Sequence, residues 1–161
     1  NEMLDIISEQ ALAIIPQITP IQIKIITLAH YLLNCNTQEL KSIMGSEPTN
    51  LDIKFLIGEL PENVSFHLKY LESLGVLKIN TLQFVNIFSR IKEQYRYLYK
   101  ETSEEEVKED VYLNAPHLKE LSIQFTTANL SNITLTPVGI LISLINMKRV
   151  INVLDYKSWI F

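Results

Sequence analysis

The stretch V-S-F-H-L-K-Y-L-E-S-L-G-V-L-K-I-N, residues 64–80, decides how this chain is expected to fold. Its first half carries apolar residues three and four positions apart, the spacing at which side chains share one face of a helix. These residues are Val64, Leu68 and Leu71. Gly75 follows, where a left-handed helix cap favours glycine, and the V-L-K-I after it predicts a short strand. We therefore predict a helix over residues 61–74 that reverses directly into a strand.

Two main helices are predicted upstream of this stretch. Residues 2–15 have apolar residues at helical spacing, and Pro16 stops the pattern. Thr19-Pro20 is a typical helix start, because a threonine side chain caps free backbone N–H groups and proline fits the first turn. The following residues predict a short helix over 38–44, a loop over 45–50 and a short helical segment over 51–57.

A second strand is predicted much later, at N-I-T-L-T, residues 132–136, and Pro137 opens a final helix to about Lys148. Roughly fifty residues of helical pattern separate the two strands. One run keeps a 3-4 spacing through Phe84, Ile87, Phe88, Ile91, Tyr95 and Leu98, and residues 116–125 predict another helix. The acidic run at residues 104–110 is interpreted as a solvated helix start, since acids suit the positive end of the helix dipole. We expect the two strands to pair, with a helical insertion in place of a tight turn.

The pattern Ser65-x-His67-Leu68-Lys69-x-Leu71-Glu72-x-x-Gly75-Val76-Leu77 resembles the segment from recognition helix to wing in bacterial winged-helix proteins, including metal- and drug-responsive repressors. The resemblance implies a mainly α fold with a small β-wing. The winged-helix core would comprise residues 20–80 and 132–147. An N-terminal helix (1–19), a helical insertion between the two wing strands (81–131) and a C-terminal tail (148–161) would complete a single domain.

A second resemblance covers residues 50–147. The order of LKYLESLGVLKI, a tyrosine-rich helical segment and ITLTPVGILI is similar to the C-terminal part of bacterial abortive-infection alpha-type proteins. This resemblance implies a role in phage defence. The chain starts with Asn1 rather than Met, so we expect it to be part of a larger bacterial protein.

Composition narrows the classes of function. The net charge is −4 and apolar residues make up 47% of the chain, so there is no overall attraction to phosphate backbones or anionic membranes. The single cysteine, Cys35, allows no internal disulfide and favours a reducing cytoplasmic location, with the thiol buried. The longest uncharged apolar run, residues 138–145, is too short to cross a bilayer, and no signal peptide is visible.

The helix over 61–74 is a weak candidate for reading DNA. Its outward side is expected to hold Glu62, Phe66, Lys69, Tyr70 and Ser73, whereas base readout needs Arg, Lys, Asn or Gln at base edges. Only Lys69 qualifies, with Asn63 and Ser65 at the margins. Residues 20–80 carry five lysines against six acidic residues, so few counterions would be released. Phe66 and Tyr70 are better explained as covered by the insertion or by a partner subunit.

A second candidate surface is the column Lys92, Arg96 and Lys100, with tyrosines interleaved. Cations with aromatics can bind nucleic acid. An ionic face within the chain or between subunits is the alternative, and we prefer it because the acidic run follows directly.

No catalytic or metal-binding motif is present. His67, His30 and His117 lie far apart in sequence and show no ligand spacing, so His67 is interpreted as a structural histidine. Nucleotide-binding, hydrolase and metalloprotease motifs are missing too, and we predict no cofactor.

We therefore predict a non-enzymatic protein-interaction or oligomerisation module of winged-helix type. The expected partner is a second copy or another protein. Its predicted interface residues are Phe66, Tyr70 and Trp159, and the apolar flanks, residues 4–15 and 150–161, could form a two-fold helical interface. The alternative function is a DNA-binding transcriptional regulator.

Overall fold

The computed structural model describes residues 2–34 and 47–151, and the elements that follow belong to those ranges. The helices are α1 Glu2–Ile14, α2 Pro20–Leu33, α3 Glu47–Ile57, α4 Ser65–Ser73, α5 Ile87–Gln94, α6 Arg96–Tyr99, α7 Glu104–Asn114, α8 Pro116–Thr127 and α9 Pro137–Met147. The strands are β1 Leu77–Ile79 and β2 Ile133–Leu135, and 3₁₀ turns lie at Ile15–Gln17 and Leu130–Asn132. The protein is mainly helical with a small sheet, as the sequence predicted.

The centre of the core is the packing of α2 against α9, with α1 covering the outside of α9. Residues 25–33 of α2 are all buried, in keeping with the largely apolar sequence of this part of the helix. The two helices also share buried hydrogen bonds: Ser143 Oγ donates to the Ile26 carbonyl at 3.0 Å, and Asn146 Nδ2 donates to Thr27 Oγ1 at 3.0 Å. These bonds fix the register of two otherwise smooth apolar surfaces.

The sheet is an antiparallel pair in which Lys78 lies opposite Thr134. It confirms the predicted pairing of the two strands across the helical insertion. The pair continues at both ends, since the Asn80 N–H donates to the Asn132 carbonyl and the Thr136 N–H donates to the Val76 carbonyl. Residues 81–131 therefore leave and rejoin the fold at neighbouring points.

The insertion is bonded to the rest of the chain at several places. The Arg90 guanidinium donates to the Leu33 carbonyl at the end of α2, at 2.5 Å. The Gln124 side chain donates to the Gly58 carbonyl and accepts from the Leu60 N–H, both at 2.9 Å. Helix α8 packs along α3, and Lys54 and Glu120 form an ion pair between them. The insertion is thus part of the same packed unit.

A long-range cap starts α8. Ala115 at its N-cap has no side chain that could accept a hydrogen bond, and the Glu47 carboxylate accepts from the His117 and Leu118 N–H groups instead, at 2.8 and 3.4 Å. Asn50 donates to the same carboxylate at 2.6 Å and accepts from the Tyr31 hydroxyl. One polar network therefore joins α2, α3 and α8.

Two predicted caps, at Thr19 and Gly75, are confirmed, and the structure adds a third at Ser103. Thr19 accepts from the Gln22 N–H in a capping box that opens α2, and Ser103 does the same with Glu106 before the acidic start of α7. Gly75 has φ +73°, and the Val76 N–H reaches back to the Leu71 carbonyl, which closes α4 in a left-handed cap.

Three predicted boundaries are wrong. Helix α4 begins at Ser65 and not at residue 61, because Asn63 Oδ1 accepts from the Ser65 N–H and holds the preceding residues in a turn. Residues 47–50 are helical and not a loop, since Pro48 sits in the first turn of α3, where proline is tolerated.

The apolar run from Phe84 to Leu98 is not one helix either. Asn86 caps α5 by accepting from the Phe88 and Ser89 N–H groups, and Tyr95, with φ −112° and ψ 42°, separates α5 from α6. The predicted helix over 38–44, Cys35 and most of the C-terminal tail lie outside the described residues.

Candidate functional site

The outward face of α4 is exposed and carries both signs of charge. Phe66 keeps 76% of its surface accessible, and its ring meets the edge of His67 at 6.1 Å between centroids. Lys69 is exposed as well, but so are Glu62 and Glu72 on either side. The face is therefore not the positive surface that a DNA-reading helix needs.

Tyr70 lies half-buried against the core. Its hydroxyl donates to the Gln17 carbonyl at 2.9 Å, in the turn that follows α1. The N-terminal segment therefore covers part of this side chain. Trp159, the third predicted interface residue, lies outside the described residues.

Asn63, Ser65 and Lys69 line one groove of about 620 Å³, which also takes in Asn129 and Asn132. Asn63 Oδ1 already accepts from both the Ser65 N–H and the Ser65 hydroxyl, at 3.1 and 2.8 Å. Glu62 lies in the same groove and offsets the charge of Lys69. The three residues are brought together, but as a nearly neutral surface.

The described histidines do not come together in a common site. His67 Nδ1 lies 3.3 Å from Nε2 of the buried Gln22, which links α4 to α2. His30 is fully buried in α2, and burial lowers its pKa to about 4 because desolvation disfavours the charged ring. Within residues 2–34 and 47–151, no three His, Cys, Asp or Glu side chains are grouped as metal ligands would be.

Lys92, Arg96 and Lys100 line a single groove of about 670 Å³, which we call the cationic groove. The helix breaks at Tyr95, yet the three side chains still meet around the same space. Its other lining residues are Ser89, Glu93, Tyr97, Tyr99 and Glu104. The Tyr99 hydroxyl donates to Asp110, and burial together with this bond raises its pKa. Tyr99 is thereby fixed as a wall of the groove.

The acidic residues near the cationic groove form their hydrogen bonds and ion pairs with residues other than its three cations, although the charge of Lys92 also helps to lower the pKa of Glu106. Glu104 accepts from Asn86 Nδ2 at 2.9 Å, and Glu105 lies 3.6 Å from Lys108. Glu106 accepts from the Ser103 N–H at 2.7 Å, which holds the pKa of its carboxyl below the usual range. Among the described residues, no ion pair involves the three cations of the groove.

A third groove, of about 580 Å³, lies between the loop at residues 81–86, α7 and α8, and we call it the apolar groove. Phe84, Phe88, Tyr112, Ile123 and Phe125 supply its aromatic and aliphatic lining, and Glu104, Glu105 and Lys108 are among its polar residues. The loop beside it is unusually apolar: Leu82 is 92% exposed and Phe84 69% exposed.

The apolar groove is not predicted by the sequence pattern. Phe84 belongs to a 3-4 spacing typical of a helix, and this spacing hides the fact that Phe84 precedes the Asn86 cap. The signal that could have found it is T-L-Q-F-V-N, where two large apolar residues lie in a turn without a helical partner face.

Taken together, these features show that the described residues form a mainly α-helical domain with a two-stranded antiparallel sheet, and that the grooves described above lie on its surface. A protein-family model described only as ":-like" matches residues 1–105 and 90–160, and the chain belongs to that family. No curated protein and no solved structure matches the chain. None of the helices in the described ranges is both long and apolar enough to cross a membrane.

Proposed function

We propose that this chain is a non-enzymatic module of winged-helix type that self-associates through the apolar groove and the loop at residues 81–86. The order α2, α3, α4, β1, β2 supports the winged-helix assignment, with a left-handed cap at Gly75 between α4 and the first wing strand. The helical insertion takes the place of the usual wing turn.

The proposal rests on the exposure of the loop beside the apolar groove. Leu82 and Phe84 lie two residues apart, one almost fully exposed and the other on the groove wall. Large apolar side chains next to an apolar depression are typical of protein interfaces. Because protruding side chain and depression belong to one surface patch, two copies related by a two-fold axis can each insert Leu82 into the other's groove.

The energy of such an interface points to a moderate affinity. Burying one large apolar side chain contributes about 1.5–3 kcal/mol, and a symmetric pair buries at least four, two from each copy. Lost translational and rotational freedom opposes association by roughly 4–15 kcal/mol. The favourable limits of both ranges, about 12 and about 4 kcal/mol, leave about 8 kcal/mol, so we expect a dimer no tighter than the micromolar range that dissociates on dilution.

Charges around the apolar groove are compatible with this symmetric arrangement. Glu104, Glu105 and Lys108 lie on its lining, so each copy offers both signs of charge to the other. The Lys108 ammonium already lies 3.6 Å from Glu105 within one chain. A two-fold interface can exchange this pair for a pair between chains without leaving a charge buried alone.

The test is sedimentation velocity over a hundredfold concentration range spanning micromolar values. The unmodified chain should show a reversible monomer–dimer equilibrium, and Leu82→Asp should remain monomeric because it places a carboxylate in an apolar groove. Phe55→Asp is the matched control, since Phe55 is 76% exposed on α3 and should leave the dimer intact. A monomeric unmodified chain, or a dimer insensitive to Leu82→Asp, contradicts the proposal.

The α1 flank gives a distinct outcome in the same experiment. Ile7 and Ala11, on its apolar face, are already buried in the chain's own core, and Leu12 is among the residues left exposed. If Leu12→Asp dissociates the dimer and Leu82→Asp does not, the interface lies on the N-terminal flank instead.

The alternative proposal is a DNA-binding transcriptional regulator that uses Asn63, Ser65 and Lys69 of the α4 groove. It predicts salt-sensitive binding of duplex DNA that Lys69→Glu abolishes. The cellular setting we propose, from the resemblance to abortive-infection alpha-type proteins, is phage defence. Phage plating on bacteria that express the intact gene, with and without Leu82→Asp, tests that setting.

A further inference from the structure

The cationic groove combines three cations with an accessible aromatic ring. Tyr97 is 69% exposed at the groove, and its ring contacts the ring of the buried Tyr95 in a tilted arrangement, with 6.4 Å between centroids. Tyr95 therefore packs against one side of the Tyr97 ring, and most of the ring remains accessible to a ligand. An exposed, supported ring beside cations is the arrangement that stacks a base while the backbone phosphates are neutralised.

The charges of this groove are available to a ligand. Arg96 and Lys100 are exposed and Lys92 is half-buried, and none of them forms an ion pair with a described residue. Of the two carboxylates on the lining, Glu104 accepts from Asn86 Nδ2, and Glu93 lies 3.9 Å from Arg90. The lining therefore has three cations and two acids, and each acid has a partner that is not one of these cations. The groove is weakly positive as a result.

The dimensions fit a ligand of nucleotide size. The volume of about 670 Å³ falls within the range of small-molecule pockets, roughly 300–1,000 Å³. Double-stranded nucleic acid keeps its bases stacked inside the helix, so it could not use Tyr97. An acidic peptide would satisfy the cations but offers no flat ring system to Tyr97.

We propose that the cationic groove binds single-stranded nucleic acid, with Lys92, Arg96 and Lys100 on the phosphates and one base stacked on Tyr97. This role uses a different groove from the self-association proposed above, although Glu104 lies on the lining of both grooves. Three phosphate contacts on a single strand imply a slope of about −2 in a plot of log affinity against log salt concentration.

The experiment is fluorescence anisotropy with a labelled oligouridylate and oligothymidylate of about ten nucleotides, within the usual site sizes. Lys92→Glu/Lys100→Glu should lose at least tenfold in affinity. Lys78→Glu/Lys148→Glu changes the net charge equally but alters exposed lysines outside the groove, and it should bind almost as well as the unmodified chain. Equal losses in the two double variants would mean that bulk charge alone attracts the strand, and would overturn the proposal.

Tyr97→Ala separates stacking from charge. It should weaken binding about tenfold while the salt slope stays near −2, because stacking on an aromatic ring releases no counterions. The variant should keep the helical circular dichroism of the parent, since Tyr97 is largely exposed. Unchanged affinity in Tyr97→Ala overturns the stacking assignment.

Competition identifies the ligand class. Unlabelled single strand should displace the probe, whereas a duplex of the same sequence, a mononucleotide or polyglutamate should compete at least tenfold less well. Equal competition by any of these overturns the proposal in favour of that ligand. Leu82→Asp should bind the strand normally, so that failure of the dimer and failure of this site are read separately.

Discussion

Replacing Gly139 with alanine tests the close packing of α9 against the backbone at Val76. Gly139 lies in the first turn of α9, and a Cβ atom there would be 2.2 Å from the Val76 carbonyl oxygen, against at least 3.4 Å for an ordinary contact. The obstacle is backbone, so no side-chain rotation relieves it. The same oxygen accepts from the Thr136 N–H at 3.1 Å and from the Thr136 hydroxyl at 2.9 Å. Helix α9 must therefore move away from the start of β1, and these bonds must lengthen.

The expected change in the free energy of unfolding of Gly139→Ala is the sum of three contributions. Overpacking a well-filled core costs about 1–3 kcal/mol. Weakening the two hydrogen bonds at Val76 adds about 1 kcal/mol for each. Alanine is the better helix former by about 1 kcal/mol, which offsets part of the loss. We expect the free energy of unfolding to fall by about 2–4 kcal/mol.

Urea unfolding followed by helical circular dichroism measures this change. With a slope of about 2 kcal/mol/M, the transition midpoint should fall by about 1–2 M at an unchanged slope. If the midpoint of Gly139→Ala stays the same or rises, the packing of α9 on Val76 is looser than the geometry implies, and the reasoning fails.

The remaining predictions use the same unfolding assay. Gly75→Ala should cost only about 1–2 kcal/mol of stability, because its Cβ would meet nothing within 4 Å and the only penalty is the left-handed φ of +73°. Gly75→Asn should cost less, because asparagine tolerates this conformation better than alanine. If Gly75→Ala lost as much stability as Gly139→Ala, this explanation would be contradicted. His30 has a pKa of about 4 when folded and about 6.5 when unfolded, so the unfolded state binds more protons between these values and stability falls as the pH is lowered. From pH 6.5 to pH 4.5 the unmodified chain should lose about 2 kcal/mol, and His30→Phe should not show this loss. Glu47→Ala should cost about 2 kcal/mol because it removes the cap of α8 and a partner of the buried Asn50. Glu47→Gln should lose less, because its amide oxygen can still accept at the cap, and a loss equal to that of Glu47→Ala would contradict this expectation.

The predictable parts of this fold were those with local causes. Thr19 and Pro20 start α2, and Gly75 ends α4, because caps depend on the few residues around them. The two strands could be paired from sequence since both were short, apolar and flanked by helix signals. The start of α4 was missed because the Asn63 side chain competes with the first helical turn for the Ser65 N–H, and a proline nearby suggested an earlier start.

The candidate sites were less predictable because they depend on distant residues. Glu47 caps a helix 70 residues away, and nothing in its own neighbourhood signals this. The apolar groove combines a loop with two helices whose angle the sequence does not give. Lys92, Arg96 and Lys100 could be grouped from their spacing alone, but the partners of the surrounding acids became visible only in the folded chain.

The strand pair brings the two ends of residues 81–131 together, which suggests that a short hairpin could replace them by deletion. The contacts of α8 argue otherwise. Without it, α3 would lose the helix packed along it, and the Glu47 carboxylate and the loop backbone at Gly58 would lose their partners. A homologue with a minimal wing would therefore need different residues on α3. Shortening the wing and repacking α3 would have to occur together. We therefore expect the length of residues 81–131 to vary among relatives only outside α8.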